Sequence, residues 1–279
     1  MKTINQIQEL KNYLQELISQ GKSIGLVPTM GALHKGHISL VKKAREENDI
    51  VVCSVFVNPV QFNNKEDLEK YPRNLEKDSL LLEENGCDIM FSPLAEEVYK
   101  EEPTEHFSFG ALEEVMEGKQ RPGHFNGVAI IVSRLFDWVS PNKAYFGEKD
   151  FQQLAIIKDM VKQLKSPVQI VPCPIVREED GLAMSSRNAR LSPSAREIAP
   201  KINSILRKSA TMKDSLSFSQ IKTFVVNEFK LYKDFELEYF EIVDDITLQP
   251  ISKKGDNGVV GCLAVWLDGV RLIDVQRYY

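Results

Sequence analysis

The sequence contains no pair of cysteines spaced as CxxC; Cys53, Cys87, Cys173 and Cys262 each lie alone in or beside an apolar run. This excludes a zinc knuckle or a local redox pair, and isolated cysteines of this kind read as small buried residues in a reducing compartment. Long apolar stretches are also missing: no segment approaches the roughly 20 residues that a membrane-spanning helix needs. Basic charge is not in excess, because 35 Lys and Arg are set against 40 Asp and Glu for a formal charge of −5. A mildly acidic surface has no broad attraction for nucleic acid or anionic lipid, so an anionic small molecule needs a local basic pocket. Internal repeats and low-complexity tracts are absent. Nor does the first stretch read as a signal peptide, since Ile4, Ile7, Leu10, Leu14 and Leu17 recur at helical spacing with charges and glutamines between them. The expectation is a soluble cytoplasmic protein with no nucleic-acid or membrane partner.

What is present is an alternation of short apolar runs and amphipathic stretches. Ser23–Thr29 and Ile50–Val57 read as buried strands with a helix, His37–Asn48, between them. The pattern continues with a helix over Pro72–Asn85, a strand over Cys87–Phe91, and helices over Ala111–Glu117 and Val128–Val139. Next come a strand at Lys143–Phe146, a helix at Phe151–Leu164 and a strand at Val168–Val176. Continuous apolar strands separated by helices imply an α/β fold, a Rossmann-like doubly wound parallel sheet covered on both faces. After Val176 the pattern changes to a polar loop, Arg177–Asn188, then helices over Pro193–Ala210 and Ser217–Tyr232 and alternating strands from Phe235 to Val275. Residues 1–176 are therefore expected to form the Rossmann-like domain and residues 177–279 a smaller C-terminal α+β domain, with the loop as hinge or lid.

In an open α/β sheet, ligands bind beyond the carboxyl ends of the strands. Four polar clusters fall at such ends: Met30–His37, Asn58–Phe62, Gly147–Gln153 and Met184–Arg187 with its leading loop. His34 and His37, two of only four histidines, lie three apart at a helix start in a glycine turn. They can share one face, and helix-start amides favour a phosphate. Gly31 and Gly36 permit close approach of a ligand to the backbone. No third ligand of metal-binding spacing lies nearby, which disfavours a zinc site. Lys149, in the turn Gly147-Glu148-Lys149-Asp150, is a natural phosphate ligand, and Asp150 can cap the following helix or bind ribose or Mg²⁺. Ser185, Ser186 and Arg187 offer two hydroxyls and a guanidinium to departing phosphates, and Gly181 gives their loop freedom to close. Gln61 and Gln153 are neutral amides able to donate to a carboxylate or hydroxyl. Each cluster taken alone is also compatible with an ordinary solvated turn.

His34-x-Gly36-His37 resembles the HIGH signature of adenylate-forming nucleotidyltransferases. The wider string Pro28-Thr29-Met30-Gly31-Ala32-Leu33-His34-x-Gly36-His37 is similar to the pantothenate synthetase family. So are Phe56–Phe62, Tyr71–Arg73, Arg121–Phe125, Phe146–Gln153 and Asp180–Asn188, in the same order along the chain. The resemblance implies an ATP-dependent ligase that joins pantoate to β-alanine through an acyl-adenylate, with Mg²⁺ and a homodimer expected. It implies catalytic roles for His37, His34, Lys149 and Arg187. ATP is expected at Met30, Gly31, Ala32, Leu33, His34, Lys35, Gly36 and His37, at Gly147, Glu148, Lys149 and Asp150, at Val176 beside adenine, and at Met184, Ser185, Ser186 and Arg187. Pantoate and β-alanine are expected at Gln61, Gln153, Asn58, Pro28 and Met30, and Asp78 is the candidate for Mg²⁺. Arg121 and His124 lie in a shared string without an assigned role. Lys35, Ile130 and Asn142 depart from the common pattern but remove no motif residue. Another HIGH-type nucleotidyltransferase would account for the histidines and Ser185–Arg187, but not for Gln61 and Gln153 in their long strings. A non-catalytic nucleotide-binding protein fits poorly with an intact set of histidines, Lys149 and Arg187.

Overall fold

The structure, a computed structural model of the chain, describes residues 1–101 and 103–279. It divides into two compact units. The first comprises Met1–Phe109, Arg121–Gly147 and Ile156–Pro174; the second comprises Gly110–Gln120, Glu148–Ala155 and Ile175–Tyr279. Each unit is thus assembled from separate stretches of sequence rather than from one stretch on either side of Val176.

The first unit is built on a parallel sheet of β1 (Lys2–Ile4), β2 (Ile24–Thr29), β3 (Ile50–Val55), β4 (Ile89–Phe91), β5 (Lys143–Gly147) and β6 (Gln169–Cys173), in the order β1-β4-β3-β2-β5-β6. Its connections carry α1 (Ile7–Ser19), α2 (Lys35–Glu47), α3 (Lys65–Glu69), α4 (Leu75–Glu84) and α5 (Ala95–Val98). Further along the chain come α6 (Met116–Gln120), α7 (His124–Val139) and α8 (Phe151–Gln163), of which α6 and the first turn of α8 belong to the second unit. From β2 the sheet grows outward in two directions, through β3 on one side and β5 on the other. The order therefore reverses between β2 and β5, the kind of point at which open α/β sheets leave a crevice beyond the strand ends.

Two features of this unit differ from the sequence expectation. Residues 2–4, read as the start of the first helix, form an edge strand paired with Ile89–Phe91. Main-chain pairing at an edge needs no apolar run, and only Ile4 of the three is buried. Helix α7 starts four residues before Val128, at His124, because Gly123 adopts a left-handed φ of 79° and reverses the chain there. The helix is apolar nearly all round and lies deep, with Phe125, Val128, Ala129 and Val132 each at most 4% exposed.

The second unit holds an antiparallel sheet of β7 (Phe235–Asp244), β8 (Val259–Leu267) and β9 (Val270–Arg277). Asp268 and Gly269, with φ of 53° and 67°, form the two-residue turn between β8 and β9, a conformation suited to the twist of a hairpin. Helices α9 (Pro193–Ile198), α10 (Lys201–Ala210) and α11 (Phe218–Lys230) bury Ile202, Leu206, Ile221, Val225 and Phe229 in one cluster with Phe240, Leu263 and Val265. The single helix expected over Pro193–Ala210 is two, because Pro200 has no N–H to continue the first and starts the second instead. The expected Ala111–Glu117 helix is likewise replaced by one turn at Gly110–Leu112 and by α6. Met116 from that segment and Phe151 pack with Val243, Leu248, Val260 and Val275, which explains why both stretches belong to the second unit.

Gly25 shows how tightly the centre of the parallel sheet is packed. A Cβ there would stand 2.6 Å from Nδ2 of Asn48, whose amide donates to the Ala44 carbonyl and to the Tyr145 hydroxyl. Because Asn48 is held at both bonds, it has no low-cost route aside. Gly25→Ala is expected to destabilise the fold by about 1–3 kcal/mol, read as a lower urea midpoint at unchanged m-value. An unaltered midpoint would show that the site relaxes freely.

Candidate functional site

The residues singled out in the sequence separate between the two units. Pro28, Met30–His37, Asn58, Gln61 and Asp78 belong to the first, together with Gly147 at the end of β5; Glu148, Lys149, Asp150, Gln153, Val176 and Met184–Arg187 belong to the second.

In the first unit, β2 ends in a turn that reverses through Gly31 and Ala32, with φ of 82° and 49°. A side chain at Gly31 would meet the wrong half of φ/ψ space, and its Cβ would also stand 3.0 Å from the Asp78 carboxylate. This reversal turns the amides of Ala32 and Leu33 toward Asp78 on α4, which accepts them at 2.9 and 2.7 Å. Gly31 N–H goes to Thr29 Oγ1, His34 N–H to Nδ1 of His37, and Gly36 N–H to Nδ1 of His34. The amides of Gly31, Ala32, Leu33, His34 and Gly36 therefore already have side-chain acceptors. The imidazoles are further groups of this turn able to donate to an anion. Their rings lie 4.0 Å apart, tilted by 35°. Since each Nδ1 accepts a main-chain N–H, each neutral ring carries its proton on Nε2. Lys35 is exposed, while Leu33 is buried in the core with Val27 and Val55.

Asp78, the candidate for Mg²⁺, accepts a main-chain N–H of the turn on each carboxylate oxygen and so holds the turn in place. Among the described residues, no group of three His, Cys, Asp or Glu side chains is arranged to hold a metal ion.

A second polar cluster follows β3. Asn58 is 1% exposed and Gln61, in the single turn Pro59–Gln61, is 9% exposed. Asn58 Nδ2 donates to Gln61 Oε1 at 3.1 Å and to the Gly127 carbonyl at 3.0 Å. Gln61 Nε2 reaches the Met30 thioether at 3.1 Å, joining this cluster to the turn after β2. Gly127 lets α7 approach closely, for a Cβ there would stand 2.7 Å from the Val60 carbonyl. His124 Nδ1 lies 2.8 Å from the Gln61 carbonyl and its Nε2 lies 3.1 Å from Arg121. Arg121 and His124, without a role in the sequence reading, are placed here as supports of the Gln61 turn. The shared string around them was the available signal. Tyr99, which donates to Asn58 Oδ1 at 2.6 Å, had none.

In the second unit, Glu148–Asp150 forms one tight turn that runs directly into α8. Lys149 is half-buried and Asp150 exposed, while Glu148 accepts from Arg277, whose guanidinium also covers the Phe151 ring. Of the adjacent glutamines, Gln152 is structural: it accepts from Glu117 N–H and donates to the Leu112 and Val115 carbonyls. Gln153 is half-buried, outside that set of bonds. The loop bearing Ser185–Arg187 is anchored at its base, where Arg177 makes a two-pronged ion pair with Asp274 at 2.7 and 2.9 Å and donates to the Gly181 carbonyl. Met184 is buried and its N–H bonds the Val176 carbonyl. Ser185 caps the short turn Ser186–Arg190 by accepting from Arg187 N–H.

Burial raises the Asp78 carboxyl above the ordinary carboxylate range, with the Leu33 and Ala32 amides pulling the other way. A raised native-state pKa means that the folded chain holds the proton more tightly than the unfolded chain. Stability from this group is therefore complete below about pH 3.9 and falls as pH rises through the native-state value. Against Asp78→Asn, which does not titrate, the wild type is expected to lose relative stability in urea unfolding as pH rises from about 4, the ordinary carboxylate value. Parallel profiles for the two proteins would rule this out.

A family profile described as pantoate–β-alanine ligase matches residues 2–277. A pantothenate synthetase of Phocaeicola vulgatus is 56% identical over 280 residues, spanning 100% of this chain and 99% of that protein. The crystal structure of pantothenate synthetase from Thermus thermophilus superposes with a TM-score of 0.94 at 43% identity and covers all of both chains. A pantoate–β-alanine ligase from Francisella tularensis, solved in complex with β-γ ATP and β-alanine, gives a TM-score of 0.83 at 36% identity, covering 100% of this chain and 98% of that one.

Proposed function

The chain belongs to the pantoate–β-alanine ligase family, and from that premise we propose that it condenses pantoate with β-alanine, using ATP and passing through a pantoyl-adenylate. In the first half-reaction a pantoate carboxylate oxygen attacks the α-phosphorus and pyrophosphate departs. In the second, the uncharged amine of β-alanine attacks the acyl carbon, forming the amide and releasing AMP. A free carboxylate is a poor acyl electrophile, and the mixed anhydride removes that obstacle.

The observation that carries this reading is the pair of imidazoles at the end of β2, each fixed through Nδ1 so that the ring N–H is carried on Nε2. Two donors at one helix start suit the negative charge that builds on the phosphoryl oxygens during adenylation. Lys149, Arg187, Ser185 and Ser186 neutralise and bind the nucleotide phosphates. The Nε2 amide of Gln61, against the weak acceptor sulfur of Met30, is ready to exchange that partner for a pantoate oxygen. Gln153 completes the acid site and Asn58 supports it through Gln61, with Pro28 and Met30 as apolar walls. The same reading includes a cytoplasmic homodimer that takes ATP together with Mg²⁺.

Incubation with ATP, Mg²⁺, pantoate and β-alanine is expected to yield AMP and pantothenate. Pyrophosphate exchange into ATP should require pantoate and proceed without β-alanine. His37→Ala is expected to lower that exchange by about 10²–10³-fold with an unchanged circular dichroism spectrum. Exchange that runs equally well without pantoate, or a fully active His37→Ala protein, would refute the assignment.

A further inference from the structure

We propose that Tyr99 is a positioning residue that, through Asn58, holds the Gln61 carboxamide with its NH₂ group turned toward the acid substrate. This inference rests on the reading of Gln61 as a pantoate ligand and adds what determines its polarity.

A carboxamide has two nearly isosteric ends, and a buried one chooses its orientation from its neighbours. Here the choice can be followed link by link. The Gly127 carbonyl only accepts, so the Asn58 atom 3.0 Å from it is Nδ2. The second hydrogen of that nitrogen goes to Gln61, so the Gln61 atom 3.1 Å away is Oε1. Gln61 Nε2 is therefore the end that faces Met30. Oδ1 of Asn58 is in turn the atom 2.6 Å from the Tyr99 hydroxyl, which must donate.

Asn58 is 1% exposed, so its carbonyl oxygen has little access to water and depends on that hydroxyl. Without it, Asn58 is held in its present orientation by the Gly127 carbonyl alone, and the Asn58–Gln61 pair that turns Gln61 Nε2 outward is less firmly fixed. An outward carbonyl repels the acceptor-only carboxylate of a hydroxy acid, whereas an outward NH₂ donates to it. Tyr99 is itself well fixed. Its ring lies under the Arg134 guanidinium at 5.1 Å, and Arg134 is held by Glu105 at 2.7 and 2.9 Å and by the Val98 carbonyl. Burial pushes the Tyr99 phenol up to about 12, so it remains a donor throughout the working range.

The test is a double-mutant cycle of Tyr99→Phe and Gln61→Ala, read as KM for pantoate and KM for ATP, with thermal unfolding of each protein as a folding check. Expected is a rise of about tenfold in pantoate KM for Tyr99→Phe, the size of one net hydrogen bond. ATP KM should stay within about twofold, and Tyr99→Phe should add nothing further in the Gln61→Ala background. The pantoate effect should be the same at every pH at which the enzyme is active. An unchanged pantoate KM in Tyr99→Phe, equal changes in both KM values, or a full additional loss in the Gln61→Ala background would each overturn the relay. If Gln61→Ala itself leaves pantoate KM unchanged, the ligand role of Gln61 fails and the inference falls with it. The single Gln61 variant therefore separates the two failures.

Discussion

Parallel strands cannot be joined by tight hairpins; each connection must cross a face of the sheet, and every strand must then end at the same edge. That constraint governs the first unit. Because β2 and β3 pair in register from Ile24↔Ile50 to Thr29↔Val55, the turn after one and the loop after the other emerge side by side. Met30 and Gln61, distant in sequence, come within bonding distance for this reason. The reversal of strand order lies beside β2, so the imidazole turn follows a strand at the kind of point where open α/β sheets bind ligands.

Within this frame the polar groups divide their work. The main chain of the turn after β2 has its hydrogen bonds met by Asp78, by Thr29 and by the Nδ1 atoms of the two histidines. A turn whose own amides are satisfied internally is rigid, and its side chains are then held at fixed positions for charge that develops during reaction. Asp78 stands under this turn as a buried acceptor despite the cost of burying its charge. The cluster around Gln61 instead uses neutral amides and a phenol. The orientation of the amides is imposed from two sides, by the Gly127 carbonyl, which can only accept, and by the Tyr99 hydroxyl, which donates to Asn58.

Much of the architecture was legible in the primary structure because it repeats. The apolar runs at Ile24, Ile50 and Val259 are continuous and bounded by turn residues, and their strands begin within a residue or two of the expected places. Where the signal was local but not periodic, it failed. The Lys2–Ile4 strand is too short to show alternation, and the break at Pro200 was hidden beneath an amphipathic pattern that continues across it. The membership of Gly110–Gln120 and Glu148–Ala155 in the second unit has no sequence signature, since it depends on what Met116 and Phe151 pack against.

By itself the sequence determined the fold class, the position of the clusters that follow β2, β3 and β5 and the residue types in them, because hydrophobic periodicity and turn chemistry act over a few neighbouring residues. Only the tertiary structure decided what those residues do to one another. It gave Asp78 to the amides of Ala32 and Leu33, fixed the protonated nitrogen of His34 and His37, made Gln152 structural beside Gln153, and brought Tyr99 to Asn58. Each of these depends on a hydrogen-bond partner that the fold carries in from elsewhere or turns into place, and direction and distance, unlike periodicity, are not written in local sequence.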